Sequence, residues 1–260
     1  MPTVLTERRD RVLVVTIDRP EVRNAVDRPT AGALAGAFRA FDSDDSLQVA
    51  VLTGSGGHFC AGADLKAMAE DPGRANVVSP EGDGPMGPTR MLLGKPVVAA
   101  VEGYAVAGGL ELALWCDLRV AAEDAVFGVF NRRFGVPLID GGNVRLPLVV
   151  GLGRALDMIL TARAVDAAEA HAMGLANRLC RPGAALDTAL ELAATISSWP
   201  QGPLRGDRLA AIEGLGLPVG DALTNEFERG VESLSGGEAA PGARRFAEGE
   251  GRHGEGTGRS

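Results

Sequence analysis

Cysteine is scarce in this chain, lysine is almost missing, and long apolar runs are missing altogether. The three cysteines are Cys60, Cys116 and Cys180. They are too few and too scattered for a disulfide framework or a zinc site. Each is expected as a small buried apolar residue. No stretch is long enough and apolar enough to span a bilayer, so no membrane association is expected. The first ten residues are charged and lack the apolar core of a signal peptide. A cytoplasmic protein is the expectation. The only lysines are Lys66 and Lys95, and the other basic residues are arginine. Lysine and arginine together number 26 against 34 acidic residues, a formal net charge of −8. No basic excess exists to displace counterions, which excludes general nucleic-acid binding. A local arginine cluster could still hold a phosphorylated small molecule. His58, His171 and His253 have no metal-ligand spacing, and no metal is expected.

What remains is an ordinary globular composition, 45% hydrophobic over 260 residues. That is enough for one sizeable core with a small appendage. Val4 to Arg9 and Val12 to Asp18 read as paired strands about Asp10-Arg11. Pro29 opens a helix over Thr30–Phe41, and Val49–Thr53 reads as a buried strand. This order suggests parallel crossover units with helices covering a sheet. Asp64 can cap a helix running toward Met68. Asp71 to Pro88, rich in glycine, proline and acidic residues, reads as a mobile surface loop at an entrance. Further helices are expected over 156–160, 167–173 and 184–198, with a strand at 176–180. Trp199-Pro200-Gln201-Gly202-Pro203 marks a boundary. Beyond it the pattern is helical over 204–213, 221–234 and 238–248. A frayed glycine-rich tail is expected from about residue 249.

The stretch from Ala105 to Asp117 carries the chemistry. It follows the apolar run 96–101 and reads as strand, glycine turn, short helix, strand. The glycine pair Gly108-Gly109 lets the backbone approach a ligand closely. A helix opening there aims unpaired N–H groups at that ligand. Glu111 falls in the first helical turn, where the dipole favours its ionised form. Donors for a developing negative charge beside a carboxylate base point to carbonyl chemistry. A tightly packed helix start with a solvated glutamate is the plainer alternative.

Several segments in order resemble the crotonase (enoyl-CoA hydratase/isomerase) superfamily. They are Ile17-Asp18-Arg19-Pro20 with Asn24-Ala25, Phe59 to Leu65, Lys95 to Val101, Gly103-Tyr104-Ala105, Gly108 to Ala113, and Cys116-Asp117. The resemblance spans Val12 to about Glu248. It implies an α/β fold, a spiral of repeated strand–strand–helix units, as a core over residues 1–199. A helical C-terminal region over 200–260 would serve assembly into a homotrimer or a dimer of trimers. The implied ligand is an acyl-coenzyme A thioester, with no separate cofactor, since coenzyme A is part of the substrate. The backbone N–H groups of Ala63 and Gly108 would form an oxyanion hole. Ala61, Asp64 and Lys66 would contact the substrate on its coenzyme A side.

The acid–base residues match unevenly. Hydratases of this superfamily use two glutamates. Glu111 matches the first, and Asn131 stands at the second, where an amide can bind water but cannot exchange a proton at neutral pH. Asp140, in a glycine-rich turn, is the substitute carboxylate; a turn aspartate bonded to nearby N–H groups is its plainer reading. The resemblance therefore implies an acyl-CoA lyase, most simply a 2-enoyl-CoA hydratase using Glu111, Asp140 and Asn131. Water would be handled by Glu111 and the α-carbon proton by Asp140. An enoyl-CoA isomerase, which needs only one carboxylate, is the alternative. A non-catalytic acyl-CoA binder is the third reading.

Overall fold

The computed structural model describes residues 1–250. The expected frayed tail beyond that point, and His253 within it, lie outside the described residues. The described chain divides into two compact units, Met1–Ala193 and Ala194 onward.

The first unit is built on two sheets. β1 (Val4–Arg9) and β2 (Val12–Ile17) form the expected antiparallel pair. β2 then runs parallel to β3 (Val49–Gly54), β3 to β4 (Val97–Val101), β4 to β6 (Leu118–Ala122), and β6 to β9 (Arg178–Cys180). Parallel sheets are covered on both faces, so their strands are apolar throughout rather than alternating. β3 and β4 are such runs, VAVLT and VVAAV, and every residue of both is buried.

A second sheet has the order β5 (Tyr104–Val106), β7 (Val126–Gly128), β8 (Val165–Asp166). An isolated parallel bridge from Cys60 to Ala105 extends it. From β3 to β7 the chain lays a strand in the large sheet and then a strand or bridge in the small one, three times over. That repetition is the expected spiral.

Helix α1 (Arg28–Ser43) begins two residues before its predicted start. Asp27 is its N-cap, accepting from the Thr30 N–H at 3.1 Å, and Pro29 sits in its first turn. Its face Ala31, Leu34, Ala35, Phe38 and Phe41 recurs at helical spacing and is buried against the sheet. α2 (Leu65–Glu70) and α3 (Gly108–Trp115) follow, then α4 (Gly142–Val150), α5 (Leu152–Thr161), α6 (Ala167–Ala172) and α7 (Ala185–Ser198). α7 crosses from the first unit into the second.

The second unit is helical. α8 (Gln201–Glu213) and α9 (Val219–Ser235) form an antiparallel hairpin, and α10 (Ala239–Ala247) follows. The Arg229 guanidinium donates to the Glu213 carboxylate at 2.6 Å across the hairpin.

The segment 71–88 is a loop that is exposed in part, as expected, but anchored at both ends. Its N-terminal end is a short 3-10 turn, Pro72–Arg74, with Arg74 paired to Asp27. Asn76 Nδ2 donates to Pro85 O at 2.7 Å, and Gly84 through Thr89 are buried. Residues 71–73, 77–78 and 80–83 are exposed. The apolar Met86 side chain, 1% exposed, anchors the rest.

Candidate active site

Two chain turns deliver backbone donors to one place. α3 begins straight after Ala107, whose φ of 54° and ψ of −126° put a non-glycine residue in a strained region. That turn leaves the Gly108 N–H at the helix start without an intrahelical acceptor. Gly62, just before Ala63, packs so closely here that a Cβ on it would lie 3.0 Å from Gly108 N. Ala63 and Gly108 both line a cavity of about 160 Å³. No hydrogen bond among the described residues uses either N–H. The two donors expected from the sequence are therefore side by side and unspent.

Glu111 and Asp140 line the same cavity. Glu111 is 2% exposed and projects from the first turn of α3. Its Oε1 accepts from the Asp140 N–H at 2.9 Å and from the Gly142 N–H at 2.8 Å. A side chain on Gly142 would meet Glu111 Cγ and Oε1, each at 2.9 Å, so only glycine admits this contact. Burial pushes the Glu111 carboxyl up to about 7. Its two N–H partners oppose the shift, and the Asp140 charge adds to it.

Asp140 is 3% exposed and sits on the turn before α4. Its Oδ1 accepts from the Met86 N–H at 2.9 Å and from the Thr89 hydroxyl. Burial raises this carboxyl too, against those two donors and the charges of Arg90 and Arg145.

Asn131 also lines the cavity, 6% exposed. Its Nδ2 donates to Val136 O at 2.7 Å, which fixes the amide's orientation, since a carbonyl can only accept. Its Oδ1 is buried without a partner. Asn76 repeats the arrangement: Nδ2 is spent on Pro85 O, and the buried Oδ1 has no partner. Sequence reasoning did not single out Asn76, Met86, Thr89 or Arg145. Asn76, Met86 and Thr89 lie on short or irregular segments, and Arg145 lies on a helix whose glycine and proline hid it; no residue periodicity marks them.

The residues expected on the coenzyme A side divide. Ala61 lines the cavity. Asp64 does not fit a ligand contact. Its carboxylate is buried, 2.8 Å from Arg19 Nη2, and caps α2 by accepting from the Ala67 N–H at 2.9 Å. Both oxygens are engaged inside the protein. Lys66 is an exposed side chain 3.8 Å from Glu70.

Cys60 and Cys116 are buried as expected, whereas Cys180 is only partly so. His58 is half-buried, its ring 5.3 Å from that of Tyr104.

Among the described residues no cluster of three or more His, Cys, Asp or Glu side chains is placed to hold a metal ion. No described helix is long and apolar enough to cross a membrane.

A two-sheet spiral that gathers two free N–H donors and two buried carboxyls defines an enzyme of acid–base chemistry at a carbonyl. Residues 7–205 match the enoyl-CoA hydratase/isomerase family, and the chain belongs to it. It is 37% identical to the enoyl-CoA hydratase EchA19 of Mycobacterium tuberculosis, over 95% of this chain and 94% of that protein. It is 34% identical to a short-chain-enoyl-CoA hydratase of Clostridium acetobutylicum, over 89% of each. The crystal structure of an enoyl-CoA hydratase from M. tuberculosis superposes with a TM-score of 0.90 at 41% identity. That match covers 95% of this chain and 96% of the other.

Proposed function

We propose that this chain is a 2-enoyl-CoA hydratase in which Glu111 and Asp140 share the proton work. The supporting observation is the single cavity lined by both carboxyls and by the unspent N–H groups of Ala63 and Gly108. In this reading the thioester oxygen of an enoyl-CoA accepts from those two donors. Asp140 takes a proton from water as the water oxygen bonds to the β-carbon. The electron pair moves onto the thioester oxygen as an enolate, which the two donors stabilise more than they stabilise the ground state. The enolate collapses and the α-carbon takes the proton of Glu111, whose raised pKa keeps that proton available near neutrality. This reverses the division expected from the sequence. Glu111 holds the proton because burial pushes its carboxyl up to about 7. Asn131 Oδ1, an acceptor without a partner, receives a hydrogen bond from the water or the substrate. It orients and does not exchange a proton.

Ala61 and Lys66 are the coenzyme A neighbours in this reading. The ligand is the acyl-CoA thioester itself, with no further cofactor, and the compartment is the cytoplasm. The active form is a homotrimer or a dimer of trimers, with residues 200–260 as the assembly region.

The test is loss of the conjugated thioester absorbance with 2-enoyl-CoAs of several lengths. Glu111→Gln and Asp140→Asn should each lower turnover by about a hundredfold or more. Their double variant should be far less damaging than the product of the singles, because the two act as one unit. A wild-type enzyme that binds the thioester without converting it would sink the hydratase reading. Asn131, which cannot carry a proton, favours one alternative, an enoyl-CoA isomerase working through a single carboxylate. Product analysis in labelled water separates the two, since only a hydratase adds oxygen to the product.

A further inference from the structure

Asp140 is held from a segment remote in sequence. Thr89, on the 3-10 turn Pro88–Arg90, gives its hydroxyl to Asp140 Oδ1, and the Met86 N–H donates to the same oxygen at 2.9 Å. Arg145 Nη1 donates to Asp140 O at 3.0 Å and Nη2 to Thr89 O at 2.7 Å, which ties the two backbones together. Thr89 is 1% exposed, so no solvent competes for its hydroxyl. Room for the contact comes from Gly84. A Cβ there would lie 1.9 Å from Thr89 Oγ1 and 2.7 Å from Asp140 Oδ1.

Resting on the hydratase reading above, we propose that Thr89 is a positioning residue for the reaction. Its hydroxyl and the Met86 N–H together pin one oxygen of Asp140, leaving the second oxygen to exchange the proton with water. Two donors on one carboxylate oxygen fix the plane of the group and favour its charged form. The charged groups facing Asp140 are Glu111 from α3, Arg145 from α4 and Arg90 from the 3-10 turn. None of them replaces a hydroxyl aimed at Oδ1. Thr89→Val keeps the shape and deletes that donor, whereas Thr89→Ser keeps the donor.

The experiment compares wild type, Thr89→Val, Thr89→Ser and Gly84→Ala by the pH dependence of kcat for enoyl-CoA hydration. Thr89→Val should lower kcat at least about tenfold with KM little changed. The acid limb of its profile should move up by about one pH unit, the scale of one lost hydrogen bond to a charged group. Thr89→Ser should restore both. Gly84→Ala, which leaves both side chains in place but wedges them apart, should resemble Thr89→Val. Superimposed profiles for Thr89→Val and wild type would overturn the proposal. So would a Thr89→Ser enzyme as impaired as Thr89→Val. A wild type with no hydration strikes the hydratase reading itself. The Asp140 carboxyl, followed by 13C NMR titration, then decides the role of Thr89. An upward shift in Thr89→Val supports the pinning, and an unchanged titration overturns it.

Discussion

Glu111 illustrates how function at a single residue opposes stability. Its carboxyl ordinarily ionises at 4.5 and here at about 7. Between those values the folded protein binds the proton more tightly than the unfolded chain does. Stability therefore falls as pH rises from about 4.5 through 7, then levels off. The loss is of the order of 3 kcal/mol. Gln at this position keeps an oxygen for the Asp140 and Gly142 N–H groups but carries no charge to desolvate. Glu111→Gln should melt about 5 °C or more above wild type at pH 8, and close to it at pH 5. Equal melting temperatures at both values would show that the buried charge costs nothing. The sequence made Glu111 and Asp140 legible as carboxylates beside glycine turns, but not as a joined pair. The Asp140 N–H to Glu111 link depends on the turn into α4 reaching back to α3, and residue order does not encode that distance. Thr89 was illegible for a related reason, since a lone hydroxyl on an irregular segment has no pattern to read.

At the scale of elements, legibility followed the strength of the local signal. β3 and β4 are unbroken apolar runs and α1 has a cap, a first-turn proline and a buried face, so all three were readable. β5 is only three residues long, too short to show an alternation of its own. α4 starts on Gly142 and contains Pro147, two residues that argue against a helix, and it went unread. Packing overrides that propensity, with Leu146 and Val150 buried. α2 shows an element fixed by one side chain. Asp64 caps it and pairs with Arg19, itself 6% exposed and 3.6 Å from Asp27. Asp64→Ala removes the cap and half-strips a buried guanidinium, a change worth about 3–5 kcal/mol. Asp64→Asn retains an oxygen for the Ala67 N–H and should lose less. Denaturant titration measures both losses. KM for the thioester, per folded enzyme, should stay near wild type in Asp64→Asn; a large rise in KM with unchanged stability would restore Asp64 as a ligand contact.

At the scale of the whole molecule, each unit by itself leaves an apolar stripe in solvent. On α9 the stripe is Leu223, Phe227, Val231 and Leu234, spaced by four, four and three, with Phe227 71% exposed. On α4 and α5 it is Val144, Leu148, Leu152, Leu156 and Leu160, spaced by four throughout. Helical spacing gathers the α9 set onto one face, and likewise the pair on α4 and the three leucines on α5, each on its own helix; full burial of one such side chain contributes about 1.5–3 kcal/mol. Contiguous exposed apolar surface of this kind marks a contact with other chains. In the proposed trimer this surface would be covered by neighbouring chains. Phe227→Glu places a charge at the centre of the α9 stripe and should reduce the mass measured by light scattering from a multiple of three chains toward one. A chain truncated after Trp199 keeps α7 whole but loses α8 and α9 entirely, and should aggregate or fall to a smaller species. The cavity with Glu111, Asp140, Ala63 and Gly108 lies wholly within the first unit, so assembly and chemistry can be scored separately on these variants. A truncated chain that is folded, monomeric and fully active would remove the C-terminal helices from any part in assembly or catalysis.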